Sequence, residues 1–192
     1  MRASLRLAAI LSTLLAAPGA IAQNTPPTFP TKDVSVVYKT HNGPAMQMSW
    51  LVAEQRVRIV ITGGPGVMLV DARGRKGFIL MDDQKAAMEM PQSDVPVPTG
   101  QVPEGAKVTK GKTETVAGHS CTVWLVDYKG VRSRSCVTSD GVMLRSGPET
   151  GPASLEATKV IYGAQDATLF QVPDGYEMIP MNEPRGNAPA AR

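Results

Sequence analysis

Apolar and polar residues alternate along most of this chain, and the alternation predicts strands. The segments Val34–Lys39, Ala45–Ala53, Arg56–Thr62, Val67–Asp71, Gly77–Met81 and Ala86–Met90 are each short, rich in Val, Ile and Met, and separated by Gly-, Asn- or charge-rich turns. That spacing predicts a meandering antiparallel sheet. A turn at Glu54-Gln55 sets Val52 opposite Val57, Trp50 opposite Ile59 and Met48 opposite Ile61. One face of this hairpin is then wholly apolar, and the other carries Gln47, Ser49, Arg56 and Arg58. A turn around Asp83-Gln84 sets Met81 against Ala86 and Ile79 against Met88, while Phe78 and Leu80 point the other way and predict a strand covered on both faces.

The run 91–105 holds four prolines and reads as a long loop or lid, because proline cannot donate to a sheet ladder. A second β unit follows, with strands predicted at Thr109–Val116, Ser120–Asp127, Val131–Thr138, Val142–Ser146 and Leu155–Gly163. Leu169-Phe170-Gln171-Val172-Pro173-Asp174-Gly175-Tyr176 reads as a final hydrophobic clasp followed by a turn. No segment has the pattern of an amphipathic helix of three turns. The domain organisation read from the sequence is a signal peptide over 1–22, an extended leader over 23–33, one β domain over 34–180 and a disordered tail over 181–192.

The signal peptide is read from Arg2 and Arg6, the apolar run Leu7 to Ala17, and the small-x-small site Ala20-Ile21-Ala22. It predicts a periplasmic protein, with no stable membrane insertion. The formal charge is +3 for the full sequence; without Arg2 and Arg6 the 20 basic residues fall to 18 against 17 acidic ones, leaving +1. That balance gives no electrostatic support to a nucleic-acid partner.

Cys121 and Cys136 are the only cysteines. A turn pairing Asp127 with Gly130 puts them directly opposite each other and predicts a cross-strand disulfide in an oxidising compartment. A turn centred on Lys129-Gly130 misaligns them by one pair, and a reactive thiol or metal ligand is the other reading. Met46-x-Met48 and Met88-x-Met90, with His41 and His119, make copper(I) binding a minor alternative, since thioethers are soft ligands. Methionines at alternate strand positions equally suit a core or cavity lining. Lys110-Gly111-Lys112-Thr113 lacks the glycine of a phosphate-binding loop at Ala106, and neither a Gly-x-Ser-x-Gly elbow nor a His-Glu-x-x-His pair occurs. The expectation is a protein that is not an enzyme, with no catalytic residue, cofactor or resident metal.

The order of pieces resembles the LolA/LolB-like superfamily, and within it the small uncharacterised periplasmic members of DUF4412 type. The resemblance spans Val34 to Met178 and rests on the Met-x-Met and Ile-x-Met strands, the run Val116-Ala117-Gly118-His119-Ser120-Cys121-Thr122-Val123-Trp124, the segment from Cys136 to Arg145, and the ending Leu169-Phe170 to Tyr176. It implies a mainly β fold: a single curved antiparallel sheet, an incomplete barrel with few or short helices, whose concave apolar face accepts acyl chains. Where the superfamily's carrier has a helix before its first strand, this chain has the proline-rich leader. The ligand-lining residues expected on that face are Met46, Met48, Trp50, Val57, Ile59, Ile79, Met81, Met88, Met90 and Trp124. The same residues can also build a closed core. The expected partner is a lipid or acyl chain, and the alternative is an envelope interaction module that contacts a protein partner and holds no ligand.

Overall fold

A computed structural model describes residues 25–64, 66–95 and 102–180. The signal-peptide and tail assignments, and the centre of the proline-rich run, lie outside the described residues. Twelve strands follow in chain order: β1 Val34–Thr40, β2 Met46–Leu51, β3 Arg56–Ile61, β4 Val67–Asp71, β5 Lys76–Met81, β6 Ala86–Glu89, β7 Lys107–Val116, β8 His119–Tyr128, β9 Val131–Val137, β10 Met143–Pro148, β11 Leu155–Tyr162 and β12 Glu177–Pro180. They form one sheet in the order β12-β6-β5-β4-β3-β2-β1-β11-β10-β9-β8-β7. All neighbours are antiparallel except β12 and β6, which run parallel. Helical structure among the described residues is confined to three short 3-10 turns, and none of it is long and apolar enough to cross a membrane.

The predicted mainly β, open antiparallel sheet is therefore the observed one. Two meanders, β1 to β6 and β7 to β11, are joined edge to edge where β1 pairs with β11. The sheet wraps around one apolar interior. Val34, Val36, Tyr38, Trp50, Val57, Leu144 and Val95, which lies beyond β6, belong to one buried cluster, and Phe29 of the leader packs against it. The leader is held at Asp140, whose carbonyl accepts from Thr31 N at 2.9 Å. A Cβ on Gly141 would stand 2.2 Å from the Phe29 carbonyl oxygen, and the residue has φ +91°, so this junction is reserved for glycine.

The hairpin registers match the prediction in one case and depart from it in two. The β5–β6 hairpin pairs Met81 with Ala86 and Ile79 with Met88, as expected. The β2–β3 hairpin pairs Trp50 with Val57, Met48 with Ile59 and Met46 with Ile61, which corrects the predicted register by two residues. The cause is the turn. Val52–Glu54 forms a 3-10 turn and Gln55 takes the left-handed conformation at φ 53°, so the loop is centred one residue earlier than expected. A two-residue slip keeps every side chain on its face, so the apolar face survives the error. The β5–β6 loop has the same construction, with Lys85 left-handed at φ 48°.

The β8–β9 hairpin departs by two residues in the opposite sense: its turn is the Lys129-Gly130 alternative, one residue later than the pairing of Asp127 with Gly130. Tyr128 pairs with Val131 across Lys129-Gly130, whose φ values of 52° and 80° suit a two-residue hairpin turn. Cys136 therefore faces Val123 and stands diagonal to Cys121, rather than opposite it. The disulfide forms across that diagonal, with Cα atoms 5.3 Å apart.

Strand β12 was not expected from the sequence. It follows the clasp, which the structure bears out: Val172 and Tyr176 pack on a second, smaller cluster of Val67, Leu69, Leu80 and Ala87 on the outer face. Phe78 joins that cluster, so the outer face of β5 is covered, while Ile79 and Met81 on its inner face are only half-buried.

Candidate functional site

Alternation puts the apolar residues of β1 to β6 on the inner face, and the registers line them up across strands. One row runs Val160, Val36, Met48, Ile59, Met68, Ile79 and Met88, taken one from each strand from β11 to β6. A parallel row runs Tyr162, Val34, Trp50, Val57, Val70 and Gly77. Burial changes along the first row. Met48 and Ile59 are 7% and 6% exposed, whereas Met68, Ile79 and Met88 are only half-buried. The core is therefore solid beneath β1 to β3 and open toward β6.

The ten expected lining residues divide accordingly. Met48, Trp50, Val57 and Ile59 are buried in the main cluster, while Met46, Ile79, Met81, Met88 and Met90 are half-buried. Met90 also approaches Gly77, where an added Cβ would lie 3.0 Å from its sulfur. Trp124 is buried on the far meander, at the end of a different row: Trp124, Ser135, Ser146, Leu155 and Thr40. Lys110 places its ammonium 5.8 Å from the Trp124 ring centroid. The indole N–H groups of Trp50 and Trp124 are both buried without an acceptor among the described residues.

The serines in that row leave room. A groove of about 500 Å³ lies over Ser133, Ser135 and Ser146, walled by Val126, Tyr128, Val131 and Met143, with Pro26 of the leader and Val102-Pro103 of the proline-rich run along its side. A second groove of about 450 Å³ is lined by His41, Pro44, Met46 and Ile61. Both grooves reach Ser154, in the loop between β10 and β11. The sequence reading missed the first groove. Its signal was the pair Ser133-x-Ser135, small polar residues on the face where neighbouring strands carry Val126 and Trp124.

The opposite side of the same strands is closed by charge. Lys39 Nζ bonds Glu156 Oε1 at 2.9 Å, Arg145 Nε bonds Glu156 Oε2 at 2.9 Å, and Arg145 Nη1 bonds Glu114 Oε2 at 3.0 Å. Arg134 Nη2 reaches both Glu114 oxygens at 3.2 Å. The hydrogen bond from Lys39, aided by Arg145, holds the Glu156 carboxyl below its ordinary value against the opposing effect of burial. These groups alternate in sign and satisfy one another, which is a scaffold rather than a reactive centre.

At the leader junction Tyr162 donates to Asp140 Oδ1 at 3.1 Å, and Thr138 donates to the same oxygen. Burial, reinforced by the Asp140 carboxylate, pushes the Tyr162 phenol up to about 12. His119 meets the Tyr162 ring edge-on at 5.7 Å. Among the described residues no group of three or more His, Cys, Asp or Glu side chains could hold a metal ion. The disulfide fits an oxidising, extracytoplasmic compartment.

No protein-family model matches the chain, and no curated protein matches it. Among solved structures it is similar to an uncharacterized conserved protein from Thermus thermophilus, at 10% identity and a TM-score of 0.54, covering 79% of this chain and 91% of that one. It is also similar to PNGF-II, at 12% identity and a TM-score of 0.50, covering 79% of this chain and 31% of that one. The chain thus spans about a third of PNGF-II's length. A weaker likeness, at 16% identity and a TM-score of 0.49, is to the MucA/MucB complex structure of Pseudomonas aeruginosa, covering 72% of this chain and 55% of that one. At these identities the likeness is one of fold.

Proposed function

We propose that this is a non-enzymatic periplasmic protein of LolA/LolB-like, DUF4412-type kinship that binds a hydrophobic ligand, a lipid or acyl chain, on the inner face of its sheet. The observation that carries the reading is that this face is apolar but not filled at either flank. Met68, Ile79 and Met88 are only half-buried, and the groove over Ser135 and Ser146 is walled by Val126, Tyr128 and Met143. An aliphatic chain laid there gains roughly 25 cal/mol for each Å² of apolar surface removed from water. Thioethers and small hydroxyl residues adapt to a flexible chain without imposing a headgroup geometry. Periplasmic location rests on the signal-peptide pattern and on the disulfide.

The central cluster supports a second reading. Val34, Val36, Tyr38 and Val57 are fully buried, as in a module that contacts a protein partner and holds no ligand. One experiment separates the two: native mass spectrometry, with lipid extraction, of protein purified from a periplasm without detergent. The ligand reading expects a stoichiometric adduct that is lost on denaturation. Ser135→Trp, which fills the groove, and Ile79→Gln, on the half-exposed row, should each remove it while the thermal midpoint holds. Trp50→Ala, in the solid cluster, should instead lower stability by about 3–5 kcal/mol. An apo mass with no uptake of added fatty acid or phospholipid sinks the ligand reading and favours the partner module.

A further inference from the structure

The outer face carries a third cavity, of about 310 Å³, between strands β3 to β5 and the C-terminal clasp. Its chemistry differs from that of the inner face. Across the strands Arg56 stands opposite Asp71, and Asp71 opposite Lys76, so all three side chains share the outer face. Leu69, Val70, Phe78, Phe170, Gln171 and Val172 complete the lining, and Phe170 is buried. No ion pair joins Asp71 to Arg56 or Lys76 among the described residues; Arg56 is paired with Glu54 instead, and Lys76 has no ion pair there. One Asp71 oxygen accepts from Gly74 N at 2.7 Å and caps its turn. Arg56 Nη1 is buried and lies 2.9 Å from Glu54 Oε2, but at an angle that makes no hydrogen bond. Arg58, two residues on along the same strand face, is a third cation and, unlike Arg56, has no ion pair among the described residues.

A guanidinium with spare donors, a nearby ammonium and an apolar wall match one class of small molecule. We propose that this cavity binds an amphiphilic monocarboxylate, its carboxylate on Arg56 and Lys76 and its apolar part against Phe78, Phe170 and Val172. The site lies on the face opposite the inner groove and does not depend on ligand binding there. It gives the clasp a role besides covering the outer cluster, because Phe170 and Val172 form one wall of the cavity.

The test is titration of the disulfide-bonded protein with octanoate and with octanol, followed by amide chemical shifts at moderate salt. Octanoate should saturate and shift Phe78 and Phe170 amides, while the neutral alcohol leaves those amides unmoved. Arg56→Gln should weaken octanoate binding about tenfold. Lys76→Gln, at an exposed position, should weaken it in the same direction. Octanoate binding unchanged in both variants, shifts confined to inner-face residues such as Ile79 and Met143, or no saturable binding overturns the proposal. Shifts at Phe78 without any lipid adduct on the inner face would retain this site and remove the inner-face reading; the reverse pattern would do the opposite.

Discussion

Two tyrosines, Tyr38 buried and Tyr162 half-buried, show how single residues fix the seam between leader, sheet and loops. Tyr38, on the first strand, is fully buried and donates to the Met143 carbonyl at 2.7 Å, and burial raises its phenol well above the ordinary range. Tyr162, on the strand that pairs with it, is raised from 10.0 to about 12 by burial and by its bond to Asp140. The folded state therefore holds this proton more tightly than the unfolded chain does. Its contribution to stability is fully present below pH 10 and is lost as pH rises from about 10 to about 12. Tyr162→Phe should flatten the decline of the denaturation midpoint across that window relative to wild type; identical slopes would remove Tyr162 from the account. Nothing in the sequence pairs His119 or Asp140 with Tyr162. Only the fold brings them to Tyr162, because β8 and β11 are remote along the chain.

Hairpins show where sequence reasoning succeeds and where it slips. The β5–β6 register was legible to the residue because Asp82-Asp83-Gln84-Lys85 is polar throughout and cannot belong to an apolar strand face. In β2–β3 the turn begins with Val52 and Ala53, which read as strand, so the predicted turn centre moved one residue too far. In β8–β9 the strands are bounded by Tyr128 and Val131, and pairing Asp127 with Gly130 places the turn one residue too early. Because such a slip moves partners by two, the faces and the candidate lining residues were legible even where the partners were not. Strand β12 escaped because four residues ending in proline carry no periodic signal; it exists by pairing with the exposed edge of β6. The diagonal disulfide ties β8 to β9 with a sequence separation of 15. A Cys121→Ser, Cys136→Ser double variant should lose about 3 kcal/mol in urea denaturation. A loss near zero would mean that the hairpin's own ladder already sets its register.

The whole molecule is one sheet wrapped around one cluster that draws on both meanders, from Val57 on β3 to Val123 on β8. Unfolding should therefore be a single transition, with backbone and aromatic circular dichroism losing signal at the same denaturant concentration. Two separated midpoints would show the meanders to be independent units. The openness of the inner face could not be read from alternation, which builds a solid core as readily as a trough. It arises from residue size, where serines of β9 and β10 meet the wall residues of β8. The β1–β11 pairing carries a consequence for how the chain acquires its form. Val34 finds Tyr162 only after both meanders have been made, so the central seam depends on the most distant partners in the sheet. Each meander can form from neighbouring strands, but joining them closes a loop of more than a hundred residues, and that search sets the pace. Until then the N-terminal half presents an unpaired β1 edge, and a binding protein that held that edge would keep the chain open without touching a single residue of the groove.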